Sequence, residues 1–300
     1  MFGLTIGAAL RRADHKAAGV RMAAYHVWAA LAALLLLAGF GLALLGDFTH
    51  GWLGDHRMIT VIHLAVACYG FLGLLAVGFS HLLVPMFALA PAVPERPAYA
   101  ALGLALTGLM FTLAGLFAPA ALCGLAASGL HLVNMVRAFR ARIRRNLGPS
   151  FLLVRLSWAM LPVSLAVGLL LSLGLLPAWM EPLFVVLLVV GWLLSLVLGM
   201  LQRILPFLAT LHAARGARRM PRSTELTSPV LARLQAAGHA LALLGLTVGV
   251  VFDRADLIRA GALIGAAGAA VLILFALDIW LRVRDLPPAQ PIPLNKELAS

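Results

Sequence analysis

The chain has 300 residues, 63% of them hydrophobic and 11% charged, with a formal net charge of +12 and two cysteines. A water-soluble domain carries about 25% charged residues, so the composition excludes an ordinary soluble globular protein. The cysteines, Cys68 and Cys123, stand in neither a CxxC nor a CxxCH pattern, which excludes a disulfide framework, a cysteine zinc site and a covalently attached c-type haem.

The apolar residues fall into blocks of roughly 20, the length a helix needs to cross a bilayer. In chain order they predict spans at about 23–46, 58–86, 98–118, 121–138, 150–176, 183–206, 230–251 and 258–283. The predicted fold class is therefore all-α, a polytopic membrane protein of eight transmembrane helices. The first block follows about 22 residues that include Arg11, Arg12, Lys16 and Arg21. It is longer than a secretory h-region, so a retained first helix is expected.

Eight spans bring both termini to one side. All but Arg57, Arg254 and Arg259 of the 23 Lys and Arg fall on that side, in runs such as "RRADHK", "RAFRARIRR" and "HAARGARRMPRS". Short basic loops stay inside, so both termini are expected to be cytoplasmic, in a bacterial inner membrane. The basic residues meet anionic headgroups, which makes the lipid bilayer the partner they imply, and not nucleic acid.

An internal repeat is also legible. The stretch "GFLGLLAVGFSHLLVPM" (70–86) aligns without a gap on "GWLLSLVLGMLQRILPF" (191–207), pairing Gly70 with Gly191, Gly78 with Gly199 and Pro85 with Pro206. The second copy begins four spans after the first. The expected organisation is two four-helix units in parallel orientation, 1–145 and 146–300. Duplicated units occur in transporters, so the repeat does not by itself name a function.

The histidines carry the chemistry. His63 and His81 share the second span and lie 18 residues, about 27 Å, apart on one face, with Ala67, Gly70, Leu74 and Gly78 between them. Small residues there admit either a flat cofactor or a neighbouring helix. His131 is near the middle of the fourth span, flanked by Ser128 and Asn134. His239 is near the middle of the seventh, one turn after Gln235. His15, His26, His50, His56 and His212 lie at span ends or in loops, where a solvated or interfacial place is expected, and His81, near the inner end of its span, is expected at the interface. An imidazole inside a membrane is a functional candidate by default, and neutral imidazole is a common metal ligand. Its ordinary alternative is a bond to a carbonyl or hydroxyl on another helix. No mid-membrane carboxylate pair, glycine-rich phosphate loop, GxSxG elbow or HExxH motif is present, so enzymatic activity is not the expectation.

The stretch "H…VGFSHLLVPMFALA" resembles the second transmembrane helix of subunit I of the haem–copper oxidases. In that family a histidine early in the helix is followed some 15 residues on by a GGFGN-(W/L)-LVP-(L/M) segment. Here His63 stands in the histidine position, and Gly78, Phe79, Leu83, Val84 and Pro85 match the later segment. The resemblance covers about 30 residues, and the four-helix units extend it at the level of architecture. It implies that His63 ligates a haem b, with His239 or His131 as the second ligand or with the iron left five-coordinate; alternatively His131 and His239, nearly level in depth, form a pair of their own. It also places the chain near the NnrS-type haem and copper membrane proteins, in electron transfer, sensing or respiratory-enzyme maturation. Other respiratory membrane subunits are the partners this would imply.

The copper histidines of the family have no counterpart here: the sixth span has no histidine and the seventh has His239 alone. Two other readings stand beside the haem reading. One is a cofactor-free permease with a hydrated cavity between the repeats, lined by His131, Asn134, Gln235 and His239. The other is a structural subunit of a larger complex.

Overall fold

In the computed structural model, residues 18–213 and 221–285 are described. The basic runs at 11–16 and 215–219, His15 and both chain ends lie outside the described residues. The described chain is all-helical. Its long helices, in order, are α1 (Ala18–His50), α2 (His56–Ala88), α3 (Glu95–Leu113), α4 (Phe117–Arg140), α5 (Gly148–Ser172), α6 (Ala178–Ala213), α7 (Pro229–Val251) and α8 (Ala255–Arg284). Seven of them are long and apolar enough to span a bilayer, which makes this a multi-pass membrane protein. The remaining helix, α3, has 19 residues and opens on Glu95 and Arg96.

The helix limits differ from the predicted blocks where caps and turns intervene. The third block was expected to reach 118, but α3 stops at Leu113. Gly115 adopts φ +74° and its N–H bonds back to Thr112 O, so the chain reverses in three residues. Conversely, α6 runs past its predicted end at 206, through Pro206, to Ala213.

Lipid is as apolar as leucine, so burial alone gives these helices little reason to associate; close packing supplies it. Glycines set the approach. The small-residue stripe of α2 lies against α1: a Cβ on Gly41 would meet His63 Cε1 at 3.3 Å, one on Gly70 would meet Ala33 Cβ at 3.2 Å, and one on Gly78 would overlap His26 Cβ. The corresponding stripe of α6 lies against α5 in the same way. A Cβ on Gly191 would sit 3.1 Å from Met160 Cγ, and one on Gly199 2.7 Å from the Ser150 carbonyl. The following helices pair likewise, α3 with α4 at Gly108 and Ala120, and α7 with α8 at Gly245 and Gly261.

Both stripe-bearing helices also contain a π-helical segment, Val66–Gly73 in α2 and Val186–Leu194 in α6. These segments end 121 positions apart, the offset that aligns Gly70 with Gly191 in the sequence. They meet each other. Tyr69 stacks on Trp192 with ring centroids 5.5 Å apart, and a Cβ at Gly73 would lie 2.8 Å from the Trp192 ring. Widened turns of this kind let two helices cross closely, and they often accompany function.

Two ion pairs tie helix ends together. Arg57, at the start of α2, pairs with Glu181 at the start of α6. At the opposite end Arg21 Nε of α1 donates to Glu95 Oε1 of α3 over 3.1 Å. A third ion pair lies within α8, Arg282 Nε to Asp278 Oδ2 at 2.9 Å.

Candidate functional site

Three imidazoles meet where α1, α2 and α4 converge. His26 and His81 have ring centroids 5.3 Å apart, and His81 and His131 are 5.4 Å apart in an edge-to-face arrangement. Their residues are 1%, 1% and 4% exposed. His26 and His81 were expected at the membrane interface, and the structure corrects both. Gly78 lets α2 pack directly over His26 of α1. His26 of α1 and His131 of α4 enclose His81 from two sides.

Few of these ring nitrogens have partners. His26 Nδ1 lies 2.8 Å from the Met22 carbonyl, which can only accept, so Nδ1 carries the proton and Nε2 remains an acceptor. Both nitrogens of His81 and Nδ1 of His131 are buried without a hydrogen bond, as are both amide atoms of Asn134 and Nε1 of Trp158. Each such group costs about 1–3 kcal/mol relative to a satisfied one. The edge of one imidazole against the face of the next recovers a small part of that. Buried polar groups this poorly satisfied need an explanation.

A cavity begins at this cluster. It has a volume of about 380 Å³ and runs between α2, α3, α4, α5 and α6, with His26 and His131 at one end and Glu181, Phe117 and Ser172 at the other. Along α4 it extends from Phe117 to His131, about 21 Å at 1.5 Å per residue. Its volume is ordinary for a ligand pocket. Spread over that length, it makes a narrow lane rather than a round chamber. The walls are mostly small and apolar, with Gly70, Gly73, Ala105, Gly108, Ala121 and Ala127 among them, and Trp192 and Tyr69 stand midway.

The residues expected as haem or metal ligands are dispersed. His63 is half-buried against Gly41 of α1, and its Nδ1 has no partner. His239 shares a 2.7 Å hydrogen bond between Nε2 and Ser195 Oγ of α6. His131 alone of the three reaches the cavity. No two of them face each other across a gap. Among the described residues, no group of three or more His, Cys, Asp or Glu side chains is arranged to hold a metal ion.

The haem b of the resemblance can be tested against this arrangement. It needs an open face beside His63, and α1 covers that face from Gly41 through Ala33 to His26. Of the two possibilities for the small-residue stripe, the neighbouring helix holds. The alternative pair His26 and His131 offers no slot either, because the ring next to each of them is His81. The residues present do not fit the macrocycle.

Little of the polar lining expected for a hydrated permease cavity is present. Of His131, Asn134, Gln235 and His239, only His131 lines it. Gln235 is bonded instead by Gln202, a residue sequence reasoning did not single out: Gln202 Nε2 donates to Gln235 Oε1 at 2.7 Å and to the Ala232 carbonyl at 3.0 Å. The signal was present, since Gln202 aligns with His81 in the repeat.

The chain matches no protein-family model, and no curated protein is similar enough to it to count as a relative.

Proposed function

We propose that this protein is a cofactor-free permease-type membrane protein that takes a membrane-soluble small molecule into the cavity beside His26 and His131. The observation that carries the reading is the cavity itself, an apolar lane ending on buried imidazoles that lack partners. Packing by α1 over His63 weighs against the haem alternative.

In this reading eight spans form two four-helix units, 1–145 and 146–300. Three observations support the duplication: matching glycine stripes, matching π segments, and the same helix pairing in each half. The cavity is bounded by α2, α3 and α4 of one unit and by α5 and α6 of the other, where duplicated transporters place their sites. The Arg57–Glu181 pair bridges the two units at the far end of the cavity. The membrane is the bacterial inner membrane, with the basic end of the bundle cytoplasmic.

Two measurements test this. The visible spectrum of purified protein, expressed with ample haem and recorded oxidised and dithionite-reduced, is expected to lack a Soret band. A Soret band lost in His63→Ala, His131→Ala or His239→Ala would overturn the reading in favour of haem. In a background carrying Cys68→Ala and Cys123→Ala, Ser128→Cys is expected to react with a small neutral maleimide in membranes, because Ser128 lines the cavity. A completely inert Ser128→Cys in folded protein would mean the cavity is closed to ligands.

A further inference from the structure

The lining chemistry narrows what the cavity can hold. Its one charged wall residue is Glu181, at the far end and already engaged by Arg57. Nothing along the lane offsets a charged head, and an unpaired charge in such surroundings is prohibitively costly. The two imidazoles at the closed end offer hydrogen bonding without charge complementarity. His131 has an unpartnered ring nitrogen, and His26, with Nδ1 committed to Met22, presents Nε2 as an acceptor. The remaining wall is mostly apolar and lined with small residues over about 21 Å. The hydroxyls of Tyr69, Thr112, Ser128 and Ser172 in it are bonded to Ser164 or to carbonyls of their own helices. That shape suits one extended chain with a head no wider than a single ring.

We propose that the cavity takes a neutral single-chain lipid whose head carries a carbonyl or hydroxyl group, the head lying against His131 and His26 and the chain running toward Glu181. This rests on the permease reading above and names its cargo class. A hydroxyl head donates to His26 Nε2, and a carbonyl head accepts from an imidazole N–H. Either one engages the imidazoles that line the cavity. Trp192, in the wall and stacked on Tyr69, lies beside the passing chain and reports its presence.

The test uses the full chain in lipid nanodiscs, with decylbenzoquinone as a probe that quenches tryptophan fluorescence. Saturable quenching is expected, lost in Trp192→Phe. Dodecanol should compete for the site, and dodecanoate at pH 8 should not. His131→Gln and His26→Gln are each expected to weaken the probe at least ten-fold, and the plugging variants Ala105→Phe and Ala127→Phe to abolish saturable binding. Each variant is first shown to keep the wild-type elution profile and apparent Tm, and the paired substitutions leave a usable variant if one misfolds. Saturable binding that dodecanoate displaces as well as dodecanol would overturn the neutral-lipid class while leaving the cavity reading in place. Binding unchanged in both histidine variants would overturn the head placement. Quenching that never saturates and is identical in both plugged variants would overturn the cavity reading itself.

Discussion

His81 of α2 and Gln202 of α6 occupy corresponding positions, 121 residues apart, each three residues past a glycine that receives the preceding helix of its half. Their surroundings have diverged. Gln202 spends its amide N–H groups on Gln235 and Ala232 of α7, and His239, one turn further along α7, is satisfied by Ser195. These bonds join α6 to α7, and they close that polar cluster on itself save for the Gln202 carbonyl oxygen. His81 faces two other imidazoles, has both ring nitrogens buried without a hydrogen bond, and stands behind His26 and His131, the two rings that line the cavity. One scaffold position thus serves structure in the second half of the chain. In the first half it leaves hydrogen-bonding capacity unused. A chain selected for stability alone has no reason to keep the unsatisfied version, and this difference motivates the ligand proposed above.

The comparison can be broken at its shared foundation or sharpened at the residues that differ. The largest effect is expected from the common glycines. Gly78→Val drives a side chain into His26, and Gly199→Val drives one into the Ser150 carbonyl and Val154, where backbone leaves no room to yield. Each should cost about 3 kcal/mol or more, seen as a large fall in apparent Tm in detergent. Near-wild-type stability of either variant would mean that the close helix crossing is not required.

The next effect separates the two halves. Gln202→Leu strips Gln235 and the Ala232 carbonyl of their partner inside the membrane and should destabilise by about 1–3 kcal/mol. His81→Phe removes no hydrogen bond and replaces an unsatisfied ring by an apolar one of similar shape, so it should be neutral or slightly stabilising without ligand. Equilibrium unfolding of the two variants in mixed micelles compares them directly. Equal destabilisation would show that His81 has a partner of its own and that the contrast is false.

Smallest of all is the surface pair at the cavity's far end. Arg57→Gln or Glu181→Gln removes an ion pair between well-exposed partners and should change stability by less than about 1 kcal/mol. Its consequence should appear in the access of a lipophilic probe to Trp192, measured as the rate of quenching. A stability loss well beyond that would make the pair a structural clamp between the halves.

The candidate site was only partly legible in the sequence. His131 was singled out, and it lies on the cavity. His26 and His81 were placed at the interface because they stand near the ends of their apolar blocks, and block position says nothing about which neighbour covers an end. His63 was favoured through the resemblance and His239 for its place in mid-span. Depth along a helix does not fix facing, and the structure turns one toward α1 and the other toward Ser195. The stripe of small residues between His63 and His81 was legible from helical spacing, yet such a stripe admits a helix as readily as a porphyrin.

The sequence by itself determined what depends on solvent and on single helices. Long apolar blocks must become helices in lipid, since no other open structure satisfies the backbone there. Basic loops bias the orientation, and the recurring glycine frame was visible before any coordinates. Only the tertiary structure decided which histidines meet, that α1 fills the face beside His63, and that five helices leave a lane between them. Those outcomes depend on the rotation and crossing of helices in lipid, set by contacts between residues far apart in the chain. Hydropathy, which records each residue's preference for lipid over water, carries no information about them.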